Sequence, residues 1–161
     1  MSCLWVEFCM RLLAAVVLLV LLGTHCKARL GDTPTECGVR YGRPISHGSA
    51  KDKGNETGLD WYAYAMDGFE HEIHFFKGRA VLEVIWKLQQ PDIPSARPPL
   101  SEEEKQRFLD ENAGGLSWSI PLIANKDYPG YEGWTWNRTD KATAEYSLID
   151  REMHFCTFHS R

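Results

Sequence analysis

Two short turns, Asp67-Gly68 and Lys77-Gly78, constrain this chain more than any other feature of its sequence. They separate three runs, WYAYAM, FEHEIHFF and RAVLEVIWKLQ, in which apolar and polar residues broadly alternate. Two-residue turns that carry glycine join antiparallel strands, and Asp-Gly is a stronger hairpin signature than Lys-Gly. With both turns closed in this way, residues 66, 64 and 62 oppose 69, 71 and 73. Across the second turn, residues 75, 73, 71 and 69 oppose 80, 82, 84 and 86. One face then carries Tyr62, Tyr64, Met66, Phe69, His71, Ile73, Phe75, Ala80, Leu82, Val84 and Trp86. The other carries Trp61, Ala63, Ala65, Glu70, Glu72, His74, Val81, Glu83 and Ile85. A slip of one residue would scramble the apolar face, so the two registers support each other.

Beyond this meander the proline-rich QQPDIPSARPP reads as an extended connector. LSEEEKQRFLDENAGG reads as a short helix with Ser101 as N-cap and Glu104 completing a capping box. Its first turn is acidic, as the helix dipole favours, and Gly114 and Gly115 stop it. Its apolar side is thin (Phe108, Leu109, Ala113), so it needs a sheet to lean on. WTWN, ATAEYSLI and MHFCTFH follow as strand candidates of a second meander. A turn at Asp150-Arg151 would pair Leu148 with Met153 and Tyr146 with Phe155. The expectation is an α+β domain over residues 59–161, two antiparallel meanders joined by one helix in the order βββ-α-βββ. Residues 29–58, rich in Gly, Pro, Ser and charge, read as an irregular N-terminal arm.

The first 28 residues carry the layout of a secretory signal peptide. Leu12–Leu22 is an unbroken apolar run behind Arg11, followed by Cys26-Lys27-Ala28, and Met10 offers an alternative start. A membrane span needs about 20 apolar residues, and extending this run that far would bury Glu7 and Arg11. The expectation is a secreted, periplasmic or cell-surface protein that leaves the membrane after cleavage. Loss of the leader moves the formal charge from −4 to −5. That balance, with no basic stripe, disfavours nucleic acid as a partner. Cys37 and Cys156 remain in the mature chain, and an oxidising compartment favours a disulfide between them over two separate buried thiols. Asn55 and Asn137 stand in glycosylation sequons, which count only in a eukaryotic secretory pathway.

Two groups of residues invite chemistry. On the expected register His71 faces inward as a hydrogen-bonded core residue, while Glu72 and Glu83 oppose each other on the outer face beside Glu70 and His74. Like charges at a direct cross-strand pair destabilise the sheet. Solvation relieves them, or a divalent metal held by Glu70, Glu72, His74 and Glu83, or a raised pKa of the acid–base kind. The second group is aromatic: Trp118, Tyr128, Tyr131, Trp134 and Trp136 crowd a stretch rich in Gly and Pro. Such rings either cap a small core or form a binding surface for a protein or carbohydrate ligand. There is no Gly-rich phosphate loop and no Gly-x-Ser-x-Gly elbow, and His154 and His159 fall on opposite faces of the last strand. No cofactor is implied beyond that divalent metal.

LSEEEKQRFLDENAGGLSW followed by WTWNRTDKATAEY resembles a pattern in small uncharacterised exported bacterial proteins of the planctomycete and verrucomicrobial kind. In those, an Asp-Gly hairpin and a Gly-Arg-Ala strand precede an acidic helix ending in Asn-Gly-Gly-like residues, with a later W-x-R-x-D-G-x-A strand. Here Asp67-Gly68, Gly78-Arg79-Ala80, Asn112–Gly115, Trp136, Arg138 and Asp140 match, and Lys141 stands in place of the glycine. The resemblance covers roughly residues 60–148, implies an exported α+β domain and carries no catalytic assignment. The expected function is a non-catalytic binding or interaction domain. Its alternatives are a metal-binding or acid–base enzyme built on the glutamate pair, and a structural component of the cell envelope.

Overall fold

The computed structural model describes residues 30–52, 58–89, 97–123 and 133–157. The signal segment, Asn55, Tyr128, Tyr131 and His159 lie outside these residues. Each turn signature has become a type I′ hairpin, with both central residues at positive φ: Asp67 at 53° and Gly68 at 82°, Lys77 at 51° and Gly78 at 74°. They join β2 (Asp60–Met66), β3 (Phe69–Phe76) and β4 (Arg79–Lys87). β1 (Ser46–Gly48) adds to the free edge of β2. The second half supplies β5 (Leu122–Ile123), β6 (Gly133–Asn137), β7 (Thr143–Ser147) and β8 (Glu152–Cys156). All eight strands form one antiparallel sheet in the order β1-β2-β3-β4-β8-β7-β6-β5. The two meanders therefore meet at their last strands, with β4 and β8 in the centre.

Two helices cover one face of this α+β fold. α1 (Pro34–Tyr41) packs Cys37 and Tyr41 against Tyr64, Ile73, Phe75 and Ala80. α2 (Glu102–Glu111) packs Phe108 and Leu109 with Phe69, Ile85, Met153, Phe155, Ala144, Tyr146 and Trp136. α2 begins as its sequence predicts, with Ser101 and Glu104 exchanging capping bonds. Its arm-borne counterpart α1 corrects the expectation of an irregular N-terminal segment. Thr33 caps it, Glu36 closes a second capping box and Pro34 takes the first turn, where its missing N–H costs nothing. Among the described residues, no helix is long and apolar enough to cross a membrane.

The β2–β3 register is the expected one, pairing Met66 with Phe69, Tyr64 with His71 and Tyr62 with Ile73. The β3–β4 register starts correctly with Phe75 opposite Ala80, then shifts at a β-bulge, so that His74 opposes Leu82 and Ile73 opposes Glu83. Val81 is the extra residue. Beyond it every β4 side chain changes face, and Glu83 and Ile85 turn inward while Leu82, Val84 and Trp86 turn outward. β4 could absorb this because it is apolar on both faces, as a central strand often is. At the β7–β8 turn Tyr146 pairs with Met153 and Ser147 with Glu152. The loop is thus two residues longer than expected, which preserves the face of Tyr146 and Phe155 but leaves Leu148 in the turn. Arg151 takes a positive φ there.

No disulfide joins Cys37 and Cys156. Cys37 lies wholly buried on the sheet-facing side of α1, whereas Cys156 is one residue out of phase with the inward-facing Phe155 and belongs to the opposite face. The sheet stands between them, which corrects the expected pairing. Burial, with smaller contributions from Asp32 and Glu83, pushes the Cys37 thiol up to about 12. Alkylation of the native protein followed by peptide mapping should therefore modify Cys156 and spare Cys37 until the chain is denatured. A cross-linked pair would instead protect both until reduction.

Lys141 occupies the left-handed region at φ 72°, a conformation that favours glycine. A side chain in that conformation costs roughly 1–2 kcal/mol, partly offset by the entropy glycine loses on folding. Lys141→Gly should raise stability by about 0.5–1 kcal/mol, read as a higher denaturant midpoint with unchanged slope.

Candidate functional site

The glutamate–histidine cluster expected on the outer face does not assemble. Glu72 and His74 do share that face and meet through Oε1 and Nε2 at 2.8 Å. The bulge, however, puts Val84 opposite Glu72 and carries Glu83 through to the inner face, away from Glu70, Glu72 and His74. Among the described residues no group of three or more His, Cys, Asp or Glu is arranged to hold a metal ion. A second Glu–His pair on the outer face, Glu152 with His154 at 2.8 Å, is separated from the first by β4. Arg97 crosses this region, bonded to Glu152 at 2.8 Å and stacked on the Trp86 ring.

Glu83 instead lies at the centre of the covered face, 1% exposed. Its Oε1 accepts from the Tyr41 hydroxyl of α1 at 2.9 Å and lies 3.0 Å from Nδ1 of His71. Its Oε2 accepts from Nδ2 of Asn112, the C-cap of α2, at 3.0 Å. Three donors converge on one carboxylate, which assigns the proton of His71 to Nδ1. The His71 ring also lies 4.8 Å from Tyr41 and 5.9 Å from Phe108, measured between centroids. A buried carboxylate stripped of such partners costs roughly 3–5 kcal/mol. The Oδ1 of Asn112 points away from this set and has no partner among the described residues.

Asn112 is held in turn from behind. The Arg138 guanidinium donates to its backbone carbonyl through Nη1, while Nε and Nη2 fork onto the two oxygens of Asp140, each at 2.8 Å. Trp118 donates its indole N–H to the Leu109 carbonyl at 2.7 Å. The last turn of α2 contains no basic residue, and two of its terminal carbonyls, those of Leu109 and Asn112, are met by these two distant side chains, while the Ala113 N–H bonds that of Asp110. The Arg138 guanidinium lies 5.1 Å from the centre of the Trp118 ring. This gives the W-x-R-x-D residues a function in the fold that their spacing alone does not reveal.

Of the aromatic set, Trp136 is buried at 7% exposure, and Trp118 and Trp134 are half-buried against the same core. Trp134 stacks on Tyr146, and the buried Lys105 places its ammonium 4.4 Å and 4.6 Å from their ring centres. Trp134 is thereby committed to packing. Trp118 and Trp136 differ, because both also line a cleft of about 340 Å³ at the C-terminal end of α2. Gln106, Asp110, Ser117 and Ser119 supply its polar groups, and Leu109, Ala113, Leu116 and Pro121 its apolar wall. Gln106 donates to Asp110 Oδ1 at 2.9 Å, which orients the carboxylate. The Ser119 hydroxyl is occupied, donating to the Ile120 carbonyl and accepting from the Asn137 N–H.

Comparison with protein-family models, with curated proteins and with solved structures found no match.

The Arg138 fork holds the Asp140 carboxyl below its ordinary value. A depressed carboxyl contributes stability above its unfolded pKa and loses it as the pH falls through the folded one. Because Asp140 is 42% exposed, solvent screens much of this contribution. Asp140→Asn should therefore be less stable than the parent at neutral pH, and the difference should shrink as pH falls below the ordinary carboxylate range. Paired urea melts at several pH values measure it.

Proposed function

We propose that this chain is an exported, non-catalytic binding domain whose ligand site is the cleft at the C-terminal end of α2. The observation that supports this reading is the convergence there of Trp118 and Trp136 with Asp110, Gln106 and Ser117. Aromatic rings beside an oriented carboxylate, an amide and a hydroxyl suit a small polyhydroxylated ligand such as a sugar. The rings meet its C–H face, and the polar groups take its hydroxyls. The volume matches the lower end of small-molecule pockets, which begin at about 300 Å³. The leader-like sequence of residues 1–28 supports export.

Titration with a panel of mono- and disaccharides, followed by tryptophan fluorescence, tests the proposal. One class of sugar should give a saturable change. Asp110→Asn should weaken it about tenfold or more, the scale of one lost charge-assisted hydrogen bond. Glu72→Gln, on the opposite face of the sheet, should bind as the parent does. Saturable binding that ignores Asp110→Asn, or no response to any sugar, would rule the cleft out as a sugar site.

A further inference from the structure

The cleft does not end at Asp110. A second, more open hollow of about 760 Å³ runs along the exposed side of α2, lined by Glu102, Glu103, Gln106, Arg107, Asp110 and Glu111. Gln106 and Asp110 line both hollows, so the two are continuous. Residues 103, 106 and 110 recur at intervals of three and four, which places them along one side of the helix. Glu103 and Asp110 stand about 10 Å apart along its axis, further than one sugar ring reaches.

The charge along this path is one-sided. Among the residues that line the cleft there is no lysine, arginine or histidine. Of the basic residues of α2, Lys105 is buried against Trp134 and Tyr146 and bonded to Glu102, and Arg107 lies over the rings of Phe69 and Phe108. Asp110 is exposed, its Oδ1 accepts from the Gln106 amide, and among the described residues no cation pairs with it. Its place in the helix makes this costly. The C-terminal end of a helix is its negative pole, where cations are favoured and carboxylates are not. Asp110 lies in the last turn of α2, and the Arg138 guanidinium that reaches the same end is neutralised by Asp140. A carboxylate kept at the negative pole, beside two indole rings and without a cation, breaks a local rule where a ligand would mend it.

We propose that the cleft selects a cationic sugar, a short chain of amino sugars, with one ammonium on Asp110 and the chain continuing along α2 towards Glu103. This deepens the sugar-binding reading given above and rests on it. Trp118 and Trp136 would meet the C–H face of the ring whose ammonium bonds Asp110, and their π faces favour the same positive charge. Gln106, between the two acids, would take a hydroxyl of the chain. Acidic sugars are disfavoured, since no side chain lining the cleft would neutralise them.

Three β-1,4-linked trimers, of glucose, glucosamine and N-acetylglucosamine, share one backbone and differ only in the substituent at C2. They are titrated into the full chain at about pH 6, between the ordinary carboxyl and amine ranges, and followed by tryptophan fluorescence. The glucosamine trimer should bind at least about tenfold tighter than the other two, the scale of one charge-assisted hydrogen bond. Asp110→Asn should erase that preference, and without ligand it should melt no lower than the parent. Glu103→Gln should weaken the glucosamine trimer about twofold or more and leave monomeric glucosamine unchanged. Equal affinity for the three trimers, still weakened by Asp110→Asn, would overturn the cationic preference and keep the cleft as a sugar site. No response to any sugar would remove both. A parental preference in Asp110→Asn, or an unliganded Asp110→Asn that melts below the parent, would also overturn the proposal. So would a trimer indifferent to Glu103→Gln, or the linear polyamine spermidine binding as tightly as the amino trimer.

Discussion

The Glu83 carboxylate stands where the two halves of the molecule meet, and both helices are docked through it. Tyr41 brings α1 to one oxygen and Asn112 brings α2 to the other, with His71 bonded alongside Tyr41. Neither helix is long. Both are shorter than the length at which an isolated helix holds in water, so each persists by docking. Apolar packing supplies the bulk of that docking, yet packing is indifferent to small slides and rotations. A buried acid with three donors is not, because any displacement strands a charge in a dry interior.

That acid reaches the interior because of a single extra residue. Without the bulge at Val81, Glu83 would point to the outer face and Leu82 and Val84 to the one the helices cover. The chain accepts the bulge because β4 offers apolar side chains in either register, so the difference in burial between the two is small. What favours the bulged form is the set of donors waiting beneath the helices, together with Ile85, which is fully buried once turned inward. The charge repulsion that a regular ladder would create between Glu72 and Glu83 disappears at the same time.

Behind Asn112 the support continues outward in a chain of polar contacts, from Asp140 to Arg138 to the end of α2. Trp118 closes the same helix end from the other side. These contacts shape the cleft that Trp118 and Trp136 line, so the candidate ligand site and the buried acid share one structural element. Trp118 both finishes the helix and borders the cleft. A variant at Arg138 or Trp118 would therefore disturb fold and site together, which is why Asp110 is the more informative position for the cleft.

Much of this was legible in the residues themselves. Glycine at both hairpin turns, joined by aspartate at the first, favours positive φ, and local dihedral preferences do not depend on distant structure. The Ser101–Glu104 capping box is local in the same sense. So is the Thr33-Pro34-Thr35-Glu36 box that begins α1, a signature present in the sequence and masked by the polar composition around it. The position of Glu83 was not legible, because alternation along β4 allows both faces and the choice depends on Tyr41, His71 and Asn112, distant in sequence. The separation of Cys37 from Cys156 was likewise a matter of which face each residue meets. The two turns of the first meander, the caps and the inward face of β2 and β3 were thus determined by the sequence itself, since each follows from the covalent chemistry of a few neighbouring residues. The bulge, the buried acid, the clamp on α2 and the cleft were decided by the tertiary structure, since each is a competition between alternative partners that meet only after the chain has folded.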